Sequence, residues 1–178
     1  KLDLISNSFA DRMLSSNADP VDLLRGTVSL SPAAELRSSD YEHLKASMAL
    51  LKPYLRQSID TGRRGVNIFL YGPPGTGKTQ LARVMASDVR CELFDVSSED
   101  EDGDPVSGER RLRAYRAAQT LLQNRRAMIV FDEMEDVFND GSDLFGMRST
   151  AQTKKAWMNR MLEDSSVPTF WLSNVKSI

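Results

Sequence analysis

One cysteine and one histidine in 178 residues leave little room for thiol or metal chemistry. Cys91 cannot form an intrachain disulfide by itself and falls in a stretch that reads as a buried strand, so a small core residue is the better reading than a catalytic thiol. His43 has no second histidine or cysteine beside it, which favours a packed or surface histidine over a metal ligand. No apolar run approaches the roughly 18 residues of a membrane span, and no signal-peptide pattern opens the chain. A dominant charge is missing too. With a formal net charge of −2 and a pI of about 5.5, there is no global electrostatic case for binding nucleic acid or an anionic membrane. The composition, 40% hydrophobic and 27% charged, is that of an ordinary soluble domain with a sizeable core. Cytoplasm is the expected compartment, inferred from absences. Lys1 in place of Met implies a segment excised from something longer.

The most informative stretch is Gly72-Pro73-Pro74-Gly75-Thr76-Gly77-Lys78-Thr79-Gln80, directly after the apolar strand Val66–Tyr71. It fits G-x-x-x-x-G-K-[ST] at every fixed position. A phosphate group needs donors converging from several sides. Glycines at 72, 75 and 77 allow left-handed backbone angles that turn N–H groups inward. Apolar periodicity resumes at Leu81, Val84, Met85 and Val89, so the loop opens a helix whose N-terminus favours an anion. Residues 72–80 are thus the expected nucleotide-binding loop. Lys78 is expected to reach the β- and γ-phosphates, and the Thr79 hydroxyl to sit on Mg²⁺.

A third strand, Ala127–Phe131, is nearly all apolar, as befits a parallel strand covered on both faces, and runs into Asp132 and Glu133. Open α/β sheets bind ligands at this carboxyl edge. Two adjacent acids there suit a division of labour, Asp132 holding the Mg²⁺ shell and Glu133 polarising water as general base. Asn174 follows the strand Thr169–Ser173, where its amide could meet the γ-phosphate or the attacking water.

The strings GPPGTGKT (72–79), IVFDE (129–133) and Ser173-Asn174 resemble the Walker A, Walker B and sensor 1 elements of AAA+ ATPases, and the first is close to the AAA clade. The resemblance is good over 66–178 and looser over 40–65. It implies a three-layer αβα sandwich around a mainly parallel sheet and ATP or ADP with Mg²⁺ as ligands. It further implies Lys78, Glu133 and Asn174 in catalysis, and a hexameric homo-oligomeric ring acting on a macromolecular client, possible clients including a protein. The family's fifth strand, arginine finger, helical lid and sensor 2 fall outside the sequence, so weak activity is expected of this segment alone. Where many relatives grip a polypeptide with an aromatic followed by Gly, this chain reads Asp104-Pro105-Val106-Ser107-Gly108, which counts against threading; Arg110 and Arg111 are candidates to line a pore.

Two divisions are expected: a helical extension over 1–40 and the nucleotide-binding unit over 41–178. In the extension, Leu2, Ile5, Phe9 and Met13 form one stripe, and Asp19-Pro20 and Ser31-Pro32 are helix starts. Ser39-x-x-Glu42 reads as a capping box, and Pro53 should kink or divide the helix that follows. The acidic loop Ser97–Gly108 meets a basic helix start, either as solvated surfaces or as charges complementary to a neighbouring subunit. Residues 139–150 read as a loop, followed by a helix burying Trp157, Met158, Met161 and Leu162. A GTPase is disfavoured because no Asn-Lys-x-Asp occurs, and a small-molecule kinase because Glu133 suits a water-directed base. A nucleotide-gated assembly module that hardly hydrolyses stays open as a rival. A nucleic-acid loader has little support without a basic–aromatic surface.

Overall fold

The computed structural model describes residue 24 and residues 26–100, 103–138 and 151–174. Its elements in chain order are β1 (Val28–Leu30), a 3₁₀ segment (Ser38–Leu44), α1 (Lys45–Asp60), β2 (Asn67–Tyr71), α2 (Lys78–Val89), β3 (Glu92–Val96), α3 (Gly108–Leu121), β4 (Ala127–Phe131), α4 (Glu135–Phe138), α5 (Ala151–Glu163) and β5 (Thr169–Ser173). The strands form one sheet in the order β1-β3-β4-β5-β2, parallel except for β1. This is the expected α/β architecture.

Every residue of β4 and β5 is buried, which explains the unbroken apolar run of β4 and the apolar centre Phe170-Trp171-Leu172 of β5. Side-chain alternation sorts the core into two clusters. Ile129, Phe131 and Trp171 pack with Leu112, Tyr115 and Ala118 of α3 and with Trp157 and Met161 of α5. Met128, Val130, Phe170 and Leu172 face the other way, toward Leu55 of α1 and Leu81, Val84 and Met85 of α2. Those are the three layers. Gln119 ties α3 to the start of β5. Its amide nitrogen donates to the Val167 carbonyl (2.9 Å) and the Tyr115 hydroxyl (3.0 Å), and its oxygen accepts the Ser166 and Val167 N–H groups at 2.8 and 2.7 Å.

Several expectations are corrected. Val28–Leu30 is a strand rather than part of a helical string. It pairs antiparallel with β3 and supplies a fifth strand from the N-terminal side. The pairing continues beyond it, with Ser31 N–H on the Leu93 carbonyl (2.7 Å) and Ser97 N–H on that of Thr27 (3.0 Å). Ser31-Pro32 starts no helix; the 3₁₀ segment begins at Ser38. Its cap is Asp40 reaching back to the Arg37 N–H at 2.7 Å, while Glu42 pairs with Lys45. Pro53 does not divide α1, which runs unbroken from Lys45 to Asp60. Cys91 lies one residue before β3, and burial pushes its thiol up to about 12, so it stays protonated and inert. The stripe at Leu2, Ile5, Phe9 and Met13, the Asp19-Pro20 start, and the loop at 139–150 lie outside the described residues. No described helix is long and apolar enough to cross a membrane.

Replacing Gln119 with Leu roughly keeps the volume but strands the buried Val167 N–H and the part-buried Ser166 N–H. Urea unfolding of Gln119→Leu is expected to show a loss of about 2–4 kcal/mol. A loss near zero would show that the α3–β5 link is dispensable.

Candidate functional site

Strand register brings the functional residues together. β5 lies between β2 and β4, with Tyr71 opposite Ser173 and Phe131 opposite Trp171. The residues that leave these strands, Gly72, Asn174 and Asp132, therefore emerge side by side at the carboxyl edge. Two bonds extend the ladder past the strand ends: Gly72 N–H to the Ser173 carbonyl (3.2 Å) and Met134 N–H to the Leu172 carbonyl (3.0 Å).

The loop 72–77 wraps back over this edge. Gly75 and Gly77 have φ of +77° and +81°, where a side chain would be strained. Gly72 does not share this geometry, contrary to expectation. A Cβ there would instead press the Thr76 hydroxyl at 3.2 Å, so close packing is what that position requires. Gly77 caps α2, and the Tyr41 hydroxyl donates to its carbonyl at 2.9 Å, fastening the 3₁₀ segment to the end of the loop.

Residues far apart in sequence meet here. Lys78 Nζ donates to the Gly72 and Pro73 carbonyls (2.8 and 3.2 Å) and to Asn174 Oδ1 (3.0 Å). Thr79 Oγ1 donates to Asp132 Oδ2 at 2.9 Å, and the other oxygen of that carboxylate accepts the Glu133 N–H, also at 2.9 Å. Glu133 is exposed and holds a left-handed φ of +51°, an uncommon conformation for a residue with a side chain and one that clusters at functional sites. Its conformation turns the chain sharply out of β4. Gln80 has its side-chain oxygen on the Glu35 N–H at 2.9 Å.

A Thr hydroxyl beside a carboxylate is a hard-oxygen pair that suits Mg²⁺. Among the described residues no group of three or more His, Cys, Asp or Glu side chains could form a protein-only cage. A groove of about 640 Å³ runs from the loop along Tyr41, Leu44, Met48 and Tyr71, a size suited to a small ligand with an apolar end. His43 lines it and is exposed, in keeping with a surface histidine.

Sequence reasoning missed three supporting residues. Tyr41 is one; its role depends on a contact 36 residues away. Glu135 is another, accepting the Asn174 N–H at 3.0 Å. Burial raises the Glu135 carboxyl, but that N–H together with the Ser173 and Asn174 side chains outweighs it, and the net position is below the ordinary 4.5. The third is Arg111, expected to line a pore but almost fully buried, with its guanidinium donating to the Asp132 carbonyl. Part of the neighbouring charge reversal is satisfied within the chain: Arg110 faces Asp100 at 3.9 Å, and Arg113 pairs with Glu109.

A parallel sheet with a glycine-rich loop between β2 and α2, and two acids leaving the adjacent edge, defines a P-loop nucleotide-binding domain. The model of the ATPase family associated with various cellular activities (AAA) matches residues 68–174, and the chain belongs to that family of ATPases. It is 36% identical over 94 residues to fidgetin-like protein 1 of Homo sapiens, covering 51% of this chain and 14% of that protein. It is 30% identical over 128 residues to the ATP-dependent zinc metalloprotease FtsH of Malacoplasma penetrans, covering 71% of this chain and 15% of that protein. A solved structure of C. elegans PCH-2 aligns with a TM-score of 0.48 at 18% identity, covering 74% of this chain and 37% of the other. The match spans between about a seventh and a quarter of the length of the curated relatives.

Because the folded Glu135 carboxyl titrates lower than in the unfolded chain, its stabilisation is present above pH 4.5 and lost as pH falls through its folded value. Glu135→Ala is expected to cost about 1–2 kcal/mol at pH 7 and progressively less below pH 4.5. Unfolding curves at neutral and acid pH would show it. A gap that does not change with pH would contradict the assignment.

Proposed function

We propose that the chain binds ATP with Mg²⁺ in this cleft and hydrolyses the γ-phosphate bond, coupled in the whole protein to remodelling of a macromolecular partner. The observation that carries this reading is the pair of contacts joining the loop to two other strand ends, Lys78 to Asn174 and Thr79 to Asp132. Neither pair serves the hydrophobic core. Together they group a cation, an amide, a hydroxyl and a carboxylate where phosphates and a metal would meet.

In this proposal Lys78 exchanges its contacts with loop carbonyls for β- and γ-phosphate oxygens. The N–H groups of residues 75–79 complete the cradle, and the apolar groove beside Tyr41 and Met48 takes the base. Thr79 and Asp132 hold Mg²⁺, which when bound neutralises developing charge on the phosphates. Glu133 orients and polarises the attacking water, while Asn174 holds it or the γ-phosphate in line. Little covalent chemistry falls to the protein; positioning and electrostatics carry the rate. Assembly as a homo-oligomeric ring, with a neighbour's arginine reaching the γ-phosphate, follows from the family likeness. On that reading the chain by itself turns over slowly, short by a factor of about 10³–10⁵.

Isothermal titration with ATP and ADP, with and without Mg²⁺, tests the site directly. Lys78→Ala is expected to abolish measurable binding, and equal binding by both proteins would show the site to be misplaced. Glu133→Gln is expected to keep ATP affinity and lower kcat about 10²–10⁴-fold in the ring-forming protein. Unchanged hydrolysis in that variant would refute the assignment of the base. A wild-type ring that binds ATP without turnover would favour the nucleotide-gated assembly module instead.

A further inference from the structure

Arg111 sits one turn into α3 with 1% of its surface exposed, a charged side chain within a predominantly apolar core. Its guanidinium lies 4.6 Å above the Phe131 ring and donates to the Asp132 carbonyl. Phe131 in turn stacks on Trp171 (5.1 Å between centroids) and meets the edge of Tyr115 (6.2 Å), which is one turn further along α3. The guanidinium is thus clamped over an aromatic floor with its Nη2 donating to the last backbone carbonyl before Glu133.

We propose that Arg111 is a positioning residue for hydrolysis, holding the Asp132–Glu133 turn so that the Asp132 carboxylate stays on the metal site and Glu133 keeps its left-handed backbone. This deepens the proposed ATPase reading and rests on it. Three physical points support it. First, a buried cation is a poor way to gain stability, because desolvation offsets the Coulomb and hydrogen-bond gain and an apolar side chain of similar volume usually does as well. Second, the contact falls on the one peptide whose orientation decides where both acids point. The Asp132 carbonyl is anchored from α3, while its carboxylate oxygens are engaged by Thr79 and the Glu133 N–H. Third, the strained φ of +51° at Glu133 persists only where surrounding structure over-determines it, and the anchor on the preceding carbonyl does that. A planar guanidinium both stacks on a ring and donates in its own plane, which the ammonium of Lys cannot reproduce.

The test compares wild type with Arg111→Met, which keeps length and removes the charge, and Arg111→Lys, which keeps the charge and removes the planar fork. Four quantities are read: Mg²⁺-free ATP affinity, the Mg²⁺ concentration giving half its full effect on ATP binding, kcat and the thermal midpoint. For Arg111→Met the expected result is Mg²⁺-free affinity within about twofold, a Mg²⁺ half-point raised about 10-fold, and kcat lowered about 10²-fold. Arg111→Lys is expected to fall between, and it carries the test if the Met variant does not fold. Variants that fold with an unchanged Mg²⁺ half-point and kcat would overturn the proposal. So would a proportional fall of Mg²⁺-free affinity, kcat and thermal midpoint together, the signature of a merely structural side chain. A wild-type protein that binds no ATP would sink the proposed function itself, a different failure. If wild type binds without hydrolysing, the Mg²⁺ half-point still decides the role of Arg111.

Discussion

The position of β5 between β2 and β4 is the constraint on which the rest depends. A strand buried on both faces has its register set by the side chains it interleaves. A one-residue slip would turn Phe170 and Leu172 toward α3 and Trp171 toward α2. That register fixes which residues stand at the carboxyl edge. With Tyr71 opposite Ser173 and Phe131 opposite Trp171, Lys78 of the glycine-rich loop, Asp132 and Asn174 converge without any direct preference for one another. Core packing therefore positions polar groups that contribute little to the core.

The site is braced from both layers. On the α2 side the Tyr41 hydroxyl holds the Gly77 carbonyl, so the segment before α1 is coupled to the last turn of the loop. On the α3 side the aromatic group of Tyr115, Phe131 and Trp171 makes a stiff platform under the acids, with Arg111 laid across it. Glu135 braces the backbone of Asn174 from the short helix after the acids. Each brace reaches the backbone of a residue at the site, and Glu135 also meets the Asn174 side chain. Fixed backbone at such a site lowers the reorganisation that electrostatic positioning would require.

Contacts such as those of Lys78 with the Gly72 and Pro73 carbonyls also show what ligand binding must overcome. On the proposed function, a phosphate would displace these bonds and offer stronger, charge-assisted ones. The left-handed backbone at Glu133 is a second local cost, met by the packing around it.

The loop and the acids after β4 were legible in the amino-acid sequence because their chemistry is local. Glycines at 75 and 77 are needed for backbone angles that few other residues adopt, and a five-residue apolar run announces a strand buried on both faces. The sheet, the helices that cover it and the order of the elements follow from the same periodicities. Other features were not legible. Three residues at Val28–Leu30 are too few to show strand alternation, and they are a strand only because β3 offers an edge. Pro53 carries a helix-breaking signal, but packing of Met48 and Leu55 keeps α1 continuous. Arg111 sits in a run of arginines that reads as solvated surface, and only the crossing of α3 over β4 turns it inward. By itself the sequence determined the class of chemistry, since a phosphate cradle needs particular residues at fixed spacing along the chain. Only the tertiary structure decided which distant residues support that chemistry, because burial and contact depend on how the layers pack.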